Sequence, residues 1–285
     1  RVIERTQDSL IISRMNFYSP LMNGDWGVKS LIKAIPDCPI NYQELDNIDG
    51  GDGAQLAWFI YTNKKTTENE LLKHIETLNL DKEIDGFIVQ LPLPKQIDEE
   101  KVLLSISPEK DVDCCHPLNF GKMALEMDSF IPATPFGIIE LLNRYQINTK
   151  GKHCVVLGRS QIVGRPISIL MSQKIKSGNA TVTLAHSQTK NLENLTKTAD
   201  IIISALGIPE FIKPHMVKKG SIIIDVGITR VKDSSNKKGY TIKGDVDFDK
   251  VSPICSYITP VPGGVGPMTI AMLLKNTLRA RSLSS

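Results

Sequence analysis

Short apolar runs alternate with segments of helical spacing through the second half of the chain. The runs are nearly continuous, which is typical of parallel strands covered on both faces. This alternation predicts an α/β fold built on a parallel sheet. The predicted strands are residues 153–157, 180–185, 201–205, 221–226 and 256–261, and the predicted helices are residues 166–175, 191–198 and 268–280.

The first half continues the alternation from residue 58 onward. Residues 58–61 and 84–91 are predicted strands, and Thr67 followed by Glu70 predicts a capping box for the helix between them. Residues 1–58 have poor periodicity, so the pattern places no chemistry there. The positions predicted to face inward are Leu71, Leu72, Ile75 and Leu78 in this helix, Ile138, Ile139, Leu141, Leu142 and Tyr145 in a helix opening at Thr134, and Ile270, Leu273, Leu274 and Leu278 in the last helix.

The length of 285 residues suggests one large or two modest domains. The helix that opens at Thr134 is predicted to join two of them. Residues 134–267 are predicted to form a Rossmann-like domain, and residues 1–133, completed by 268–285, a smaller α/β domain.

Composition and charge narrow the class of protein. With 41% hydrophobic and 23% charged residues, the chain has ordinary soluble globular composition. A net charge of +3 gives no case for a nucleic-acid partner but suits an anionic ligand. No apolar run approaches the roughly 18–20 residues of a membrane span, so no membrane association is predicted.

The positions of cysteine and histidine residues indicate the cellular compartment and whether the chain has a metal-binding pattern. The five cysteines are odd in number and form no C-x-x-C, which favours a reducing, cytoplasmic setting over a secreted one. The five histidines have no metal-ligand spacing, so no metal site is predicted.

The sequence GRSQIVGRP at 158–166 follows a predicted strand and leads into a predicted helix. In doubly wound sheets such a glycine turn is a phosphate site, where free N–H groups at the helix start meet the anion. The spacing departs from G-x-G-x-x-G, so a tight turn without a ligand stays open as an alternative. Arg159 favours the phosphate site, because a guanidinium can bind a phosphate with two N–H groups.

The residues after the 180–185 strand bear on the choice of cofactor. NAD-preferring sites usually carry an acidic residue there for the ribose 2′-hydroxyl. This chain has His186, Ser187, Gln188 and Thr189 instead, so a 2′-phosphate would not be repelled. We therefore predict NADP, bound by Arg159 and Ser187, although Ser187 can equally be an ordinary turn serine.

Four motifs in a fixed order resemble one family. They are VQLPLP at 89–94, KDVD at 110–113, GRSQIVGRP at 158–166 and TPVPGGVGPMT at 259–269. From residue 66 to about residue 280, the chain resembles the bifunctional methylenetetrahydrofolate dehydrogenase/methenyltetrahydrofolate cyclohydrolases of one-carbon metabolism, in the style of bacterial members.

This resemblance implies a fold and an activity. The implied reactions are oxidation of 5,10-methylenetetrahydrofolate by NADP and hydration of the methenyl product to 10-formyltetrahydrofolate. The resemblance also implies a homodimer, and a cleft between a folate domain and a Rossmann domain.

The resemblance further implies roles for individual residues. Gln90 matches a glutamine beside the reacting centre, with a strand-end amide as the alternative. Asp113 matches the aspartate that binds the folate ring, with a turn-forming aspartate as the alternative. The remaining matches are cofactor contacts at Gly158, Arg159, Ser160, Ser187 and Ile228, and substrate contacts at Pro262, Gly263 and Gly264.

Two departures from the family pattern stand out. The family continues KDVD with glycine, whereas here Cys114 follows; at φ > 0 a cysteine would strain the turn by about 1–2 kcal/mol. The family also carries a Tyr-x-x-x-Lys helix whose lysine is the main acid/base group. Tyr61 and Lys65 have that spacing, but Lys65 directly precedes the helix predicted from Thr67, so the lysine helix is implied to be missing. Lys65 is the candidate catalytic lysine, and a solvated lysine at a strand end is the alternative.

Three functions remain after these considerations. The first is the bifunctional folate enzyme. The second is an NADP-binding relic that lost catalysis with the acid/base lysine. The third, a shikimate- or amino-acid-type dehydrogenase, shares the two-domain plan but does not account for TPVPGGVGPMT.

Overall fold

The computed structural model describes residues 10–16, 55–62, 67–235 and 239–284, the first two ranges as backbone strands. The chain divides into two compact units, one running to Ala133 and resuming at Leu273, the other spanning Thr134–Met272. None of the helices described is long and apolar enough to cross a membrane.

The first unit contains an antiparallel strand pair and short helices. Residues 58–61 lie in the second strand of the pair, which confirms the strand predicted there. The elements up to residue 133 are β1 (Leu10–Asn16), β2 (Gln55–Thr62), α1 (Glu68–Leu80), α2 (Glu99–Ser105) and α3 (Pro117–Ala124).

Helix α1 begins at the predicted capping box. The Glu70 N–H donates to the Thr67 hydroxyl at 3.3 Å, and the Thr67 N–H donates to the Glu70 carboxylate at 2.8 Å. The inward face is confirmed for Leu71, Ile75 and Leu78, which are buried, while Leu72 is partly buried against the same core.

The segment 84–91 is not the continuous strand that was predicted. It forms isolated bridges, one of them parallel between Phe87 and Asp111, where the Phe87 N–H donates to the Lys110 carbonyl at 2.9 Å. Pro92 and Pro94 follow directly and have no N–H to donate, so ladder pairing cannot extend in that direction.

The second unit is built on a five-stranded parallel sheet, which confirms the predicted α/β fold. Its strands are arranged in the order β4-β3-β5-β6-β9, and β7 pairs with β8 in a separate antiparallel hairpin. The elements from residue 133 onward are α4 (Ala133–Arg144), β3 (His153–Leu157), α5 (Gly164–Ser172), β4 (Thr181–Ala185), α6 (Leu192–Thr198), β5 (Ile201–Ser204), β6 (Ile222–Asp225), β7 (Thr229–Lys232), β8 (Tyr240–Lys243), α7 (Phe248–Val251), β9 (Tyr257–Ile258) and α8 (Val265–Ser284).

Two predicted inward positions are exposed instead. Tyr145 lies one residue beyond the end of α4 and is 62% exposed, with its ring edge-on to Tyr257. Ile270 in α8 is 45% exposed. Helical spacing identifies a stripe of apolar residues, but the neighbouring elements decide how wide a stripe is covered.

Candidate dinucleotide and substrate sites

The sheet order creates a switch point between β3 and β5. From β3 the chain continues to β4, which lies on one side of β3. It then returns to β5 on the other side of β3, and the later strands β6 and β9 extend the sheet in that direction. In open α/β sheets, ligands bind outside the carboxyl ends of the strands at such a point. Residue 158, which begins the GRSQIVGRP motif, directly follows β3 at this edge.

Two glycines allow the loop after β3 to pack closely. Gly158 has φ +105°, and a Cβ there would lie 2.3 Å from the Ala205 carbonyl oxygen. A Cβ on Gly164 would lie 2.0 Å from the Gly158 carbonyl oxygen. No side chain fits at either position, so glycine is required for the loop to pack against Ala205 and against its own backbone.

The hydrogen bonds of this loop differ from the predicted ones. The Ser160 hydroxyl accepts the N–H groups of Val163 and Gly164, both at 3.2 Å, and the Ser160 carbonyl accepts the Arg165 N–H at 3.0 Å. Pro166 has no N–H. The prediction that the helix start offers free N–H groups is therefore wrong, because Ser160 already occupies them.

Free donors lie earlier in the loop. Among the described residues, no acceptor bonds the N–H groups of residues 159–162 or the Arg159 guanidinium. The Ser160 hydroxyl accepts two N–H groups and keeps its own proton to donate. Four N–H groups, one hydroxyl proton and one guanidinium in this loop fit a phosphate-bearing cofactor.

Ser187 stands at the end of the neighbouring strand. Leu157 of β3 pairs with Ala185 of β4, so the residues after each strand emerge side by side. The turn is held by the His186 N–H, which donates to the Thr189 hydroxyl at 2.9 Å. Ser187 is exposed, and within the described chain its hydroxyl has no partner, which leaves it available to a ligand.

Ile228 and residues 259–264, here called the late glycine loop, both belong to the second unit. Ile228 directly precedes β7 and is 64% exposed. A Cβ on Gly266 would lie 3.9 Å from its Cδ1 atom. Gly263 has φ +103°, and a Cβ on Gly264 would lie 2.4 Å from the Pro260 carbonyl oxygen, so glycine is needed at both positions.

Asp113 is a partly desolvated carboxylate in the first unit. One of its oxygens accepts the Ala133 N–H at 3.1 Å. Burial raises the pKa of Asp113 to about 6, the Ala133 N–H opposes this rise, and the charge of Asp111 adds to it. No described residue bonds the second oxygen, which is therefore free to accept from a substrate.

The neighbouring Asp111 holds the turn instead. Its carboxylate accepts the N–H groups of Cys115 at 2.9 Å and His116 at 2.8 Å, and the Asn119 amide at 2.9 Å. Cys114 within this turn has φ +56°, so the cysteine takes a left-handed conformation that is strained for a residue with a Cβ. The strained turn keeps its shape because Asp111 fixes both sides of it.

The side chains of Gln90 and Lys110 both donate to backbone carbonyls. The Gln90 amide donates to the Leu91 carbonyl at 3.1 Å. The Lys110 ammonium donates to the carbonyls of Leu78 at 2.9 Å and Asp81 at 2.6 Å, at the end of α1. Lys110 therefore caps a helix, a structural role that the sequence motif did not reveal. Lys65 lies outside the described residues.

Among the described residues, no three His, Cys, Asp or Glu side chains gather into a group that could hold a metal ion.

The sheet order and the glycine loop define the class: a doubly wound α/β protein with a phosphate-type loop at its switch point. Residues 132–285 match the family model described as tetrahydrofolate dehydrogenase/cyclohydrolase, NAD(P)-binding domain, and residues 56–113 match the catalytic domain of the same family. The chain belongs to the tetrahydrofolate dehydrogenase/cyclohydrolase family, which confirms the resemblance seen in the four motifs.

Individual relatives agree with this membership. The Bifunctional protein FolD of Flavobacterium johnsoniae is 69% identical over 219 residues, covering 77% of this chain and 74% of that protein. The bifunctional FolD methylenetetrahydrofolate dehydrogenase/cyclohydrolase of Campylobacter jejuni is 47% identical with a TM-score of 0.71, covering 78% of this chain and 75% of that chain. The Trypanosoma brucei dehydrogenase-cyclohydrolase, solved with NADP cofactor and inhibitor, is 40% identical with a TM-score of 0.73. The match covers 78% of this chain and 75% of that chain.

Proposed function

We propose that this chain oxidises 5,10-methylenetetrahydrofolate with NADP and hydrolyses the methenyl product to 10-formyltetrahydrofolate. The observation that carries the proposal is the glycine loop with free donors at the switch point, in a chain that matches both domains of the family. The bifunctional relatives support both activities.

The residues of the loop fit the binding of a dinucleotide. Bound NADP supplies the nicotinamide that accepts the hydride. The N–H groups of residues 159–162 and the Ser160 hydroxyl are proposed to hold phosphate, and Arg159 and Ser187 the 2′-phosphate. Ile228 is proposed to contact the cofactor through its backbone.

The substrate contacts are also proposals. Asp113 has an unbonded oxygen that can accept N–H groups from a pterin-like ring, and its turn is held by the hydrogen bonds of Asp111. Gln90 is proposed to assist near the reacting centre, and Pro262, Gly263 and Gly264 to contact the folate. Lys65 as the acid/base group stays a prediction, as do the roles of the two predicted domains.

Formation of NADPH tests the proposed function directly. Absorbance at 340 nm is expected to rise when the protein is mixed with methylenetetrahydrofolate and NADP. A separate assay with methenyltetrahydrofolate is expected to show its hydrolysis. NADP binding without either signal would contradict the proposal and leave the relic as the better interpretation.

Arg159→Ala is expected to weaken NADP binding about tenfold or more while changing NAD binding less, because it removes a charge-assisted bond to the 2′-phosphate. Titration calorimetry with both dinucleotides measures the two affinities. Arg144→Ala is the matched control, since that guanidinium pairs with Glu140 on the surface of α4. Equal losses for NADP and NAD would remove Arg159 from this role.

We also propose a cytoplasmic homodimer. The four described cysteines, Cys114, Cys115, Cys154 and Cys255, are free thiols, which supports a reducing compartment. The dimer is supported by the family resemblance, and light scattering of the purified protein measures it.

A further inference from the structure

Two buried carboxylates lie next to the loops at the carboxyl edge of the sheet. Asp245 is 0% exposed and Asp225 is 3% exposed. Within the described chain, neither carboxylate has a cation among its hydrogen-bond partners, and backbone N–H groups make most of the contacts.

Asp245 holds the loop that follows β5. Its carboxylate accepts the N–H groups of Leu206 at 2.7 Å and Ile208 at 2.9 Å, and the Ser204 hydroxyl at 3.0 Å. This loop begins at Ala205, whose carbonyl oxygen approaches the position where Gly158 lacks a Cβ. Asp245 therefore sets the position of the segment after β5 against which the loop at Gly158 packs.

Asp225 holds the turn that follows β6. Its carboxylate accepts the N–H groups of Gly227, Asp245 and Val246, each at 2.9 Å. Ile228 comes directly after this turn. The Asp225 N–H also donates to the Thr259 hydroxyl at 2.8 Å, which connects β6 to the start of the late glycine loop.

Two further glycines make room for these carboxylates. A Cβ on Gly227 would lie 2.2 Å from the Asp245 Oδ1 atom, and a Cβ on Gly244 would lie 2.1 Å from the Asp225 Oδ2 atom. Residues 207, 208 and 228, in the loops that Asp245 and Asp225 hold, are exposed. The two buried carboxylates therefore determine the shape of the protein surface at these loops as well as the packing beneath it.

We propose that Asp225 and Asp245 are positioning residues for the dehydrogenase reaction. They hold three loops in the arrangement that binds cofactor and substrate: the loop after β5, the loop after β6 and the late glycine loop. This inference rests on the proposed function. The inference goes beyond the proposed function because it assigns the positions of these loops to two residues that contact neither the proposed cofactor nor the proposed substrate.

Asp245→Asn tests the inference, because an amide NH₂ would face N–H groups that now meet an oxygen. The Kd and the KM for NADP are expected to rise about tenfold or more, since small displacements of binding groups have large effects. Asp200→Asn is the matched control: its carboxylate accepts the His153 N–H at 3.0 Å and pairs with Lys218 at the opposite end of the same sheet. The control is expected to keep NADP affinity within about twofold of wild type.

Thr259→Val keeps the inference testable if Asp245→Asn does not fold. It preserves side-chain shape and removes the hydroxyl that bonds Asp225, so the KM for methylenetetrahydrofolate should rise while the Kd for NADP stays unchanged. Wild-type values of Kd and KM in the folded variants, with only a lower melting temperature, would overturn the inference. Failure of the wild-type protein itself to bind NADP would instead contradict the proposed function.

Discussion

Gly158→Ala is expected to abolish NADP binding and to destabilise the fold by about 2–5 kcal/mol. The residue has φ +105°, which is unfavourable for any residue with a Cβ, and the new Cβ would lie 2.3 Å from the Ala205 carbonyl oxygen. Backbone atoms on both sides must therefore move, and the donors of residues 159–162 move with them. Denaturant unfolding measures the stability, and calorimetry measures the NADP affinity.

Gly121→Ala is the matched control for this substitution. Gly121 lies within α3 and a Cβ there meets no atom within 4 Å. Replacing glycine by alanine in a helix interior is expected to stabilise by about 0.5–1 kcal/mol, with NADP affinity unchanged. Retained NADP affinity in Gly158→Ala would show that the loop after β3 is not the cofactor site.

Asp113→Asn is expected to lower kcat/KM for methylenetetrahydrofolate by at least about tenfold, because the charged acceptor proposed for the pterin-like ring is lost. The asparagine oxygen can still accept the Ala133 N–H, so the turn should survive. The control is Asp128→Asn, which removes an exposed charge paired with Arg279 in the same unit. Unchanged kinetics in Asp113→Asn would remove Asp113 from the site.

The pH dependence provides a second measurement on Asp113. Because the carboxylate is the proposed binding form, kcat/KM is expected to fall as pH drops through the Asp113 pKa of about 6, and this inflection should be absent in Asp113→Asn. The folded pKa lies above the unfolded value, so the contribution of Asp113 to stability is present at low pH and is lost as pH rises through about 6. Asp113→Asn should consequently be more stable than wild type at pH 8, by about 1–3 kcal/mol.

Features that depend on nearby residues were predictable from the sequence. The strands β3, β5 and β6 are apolar because both faces are covered, and the Thr67–Glu70 capping box joins groups three positions apart. The strain at Cys114 was also predictable, since the resemblance implies a glycine at this position.

Only the tertiary structure decided which distant groups meet. The sheet order places Gly158 against Ala205, and it brings Asp245 to the N–H groups of Leu206 and Ile208, almost forty residues earlier in the chain. Local spacing carries no information about strand order, because any order of the same strands buries the same apolar runs. For that reason the sequence alone determined the strands of the parallel sheet and the glycine motif, while the fold determined how the loops around that motif are held.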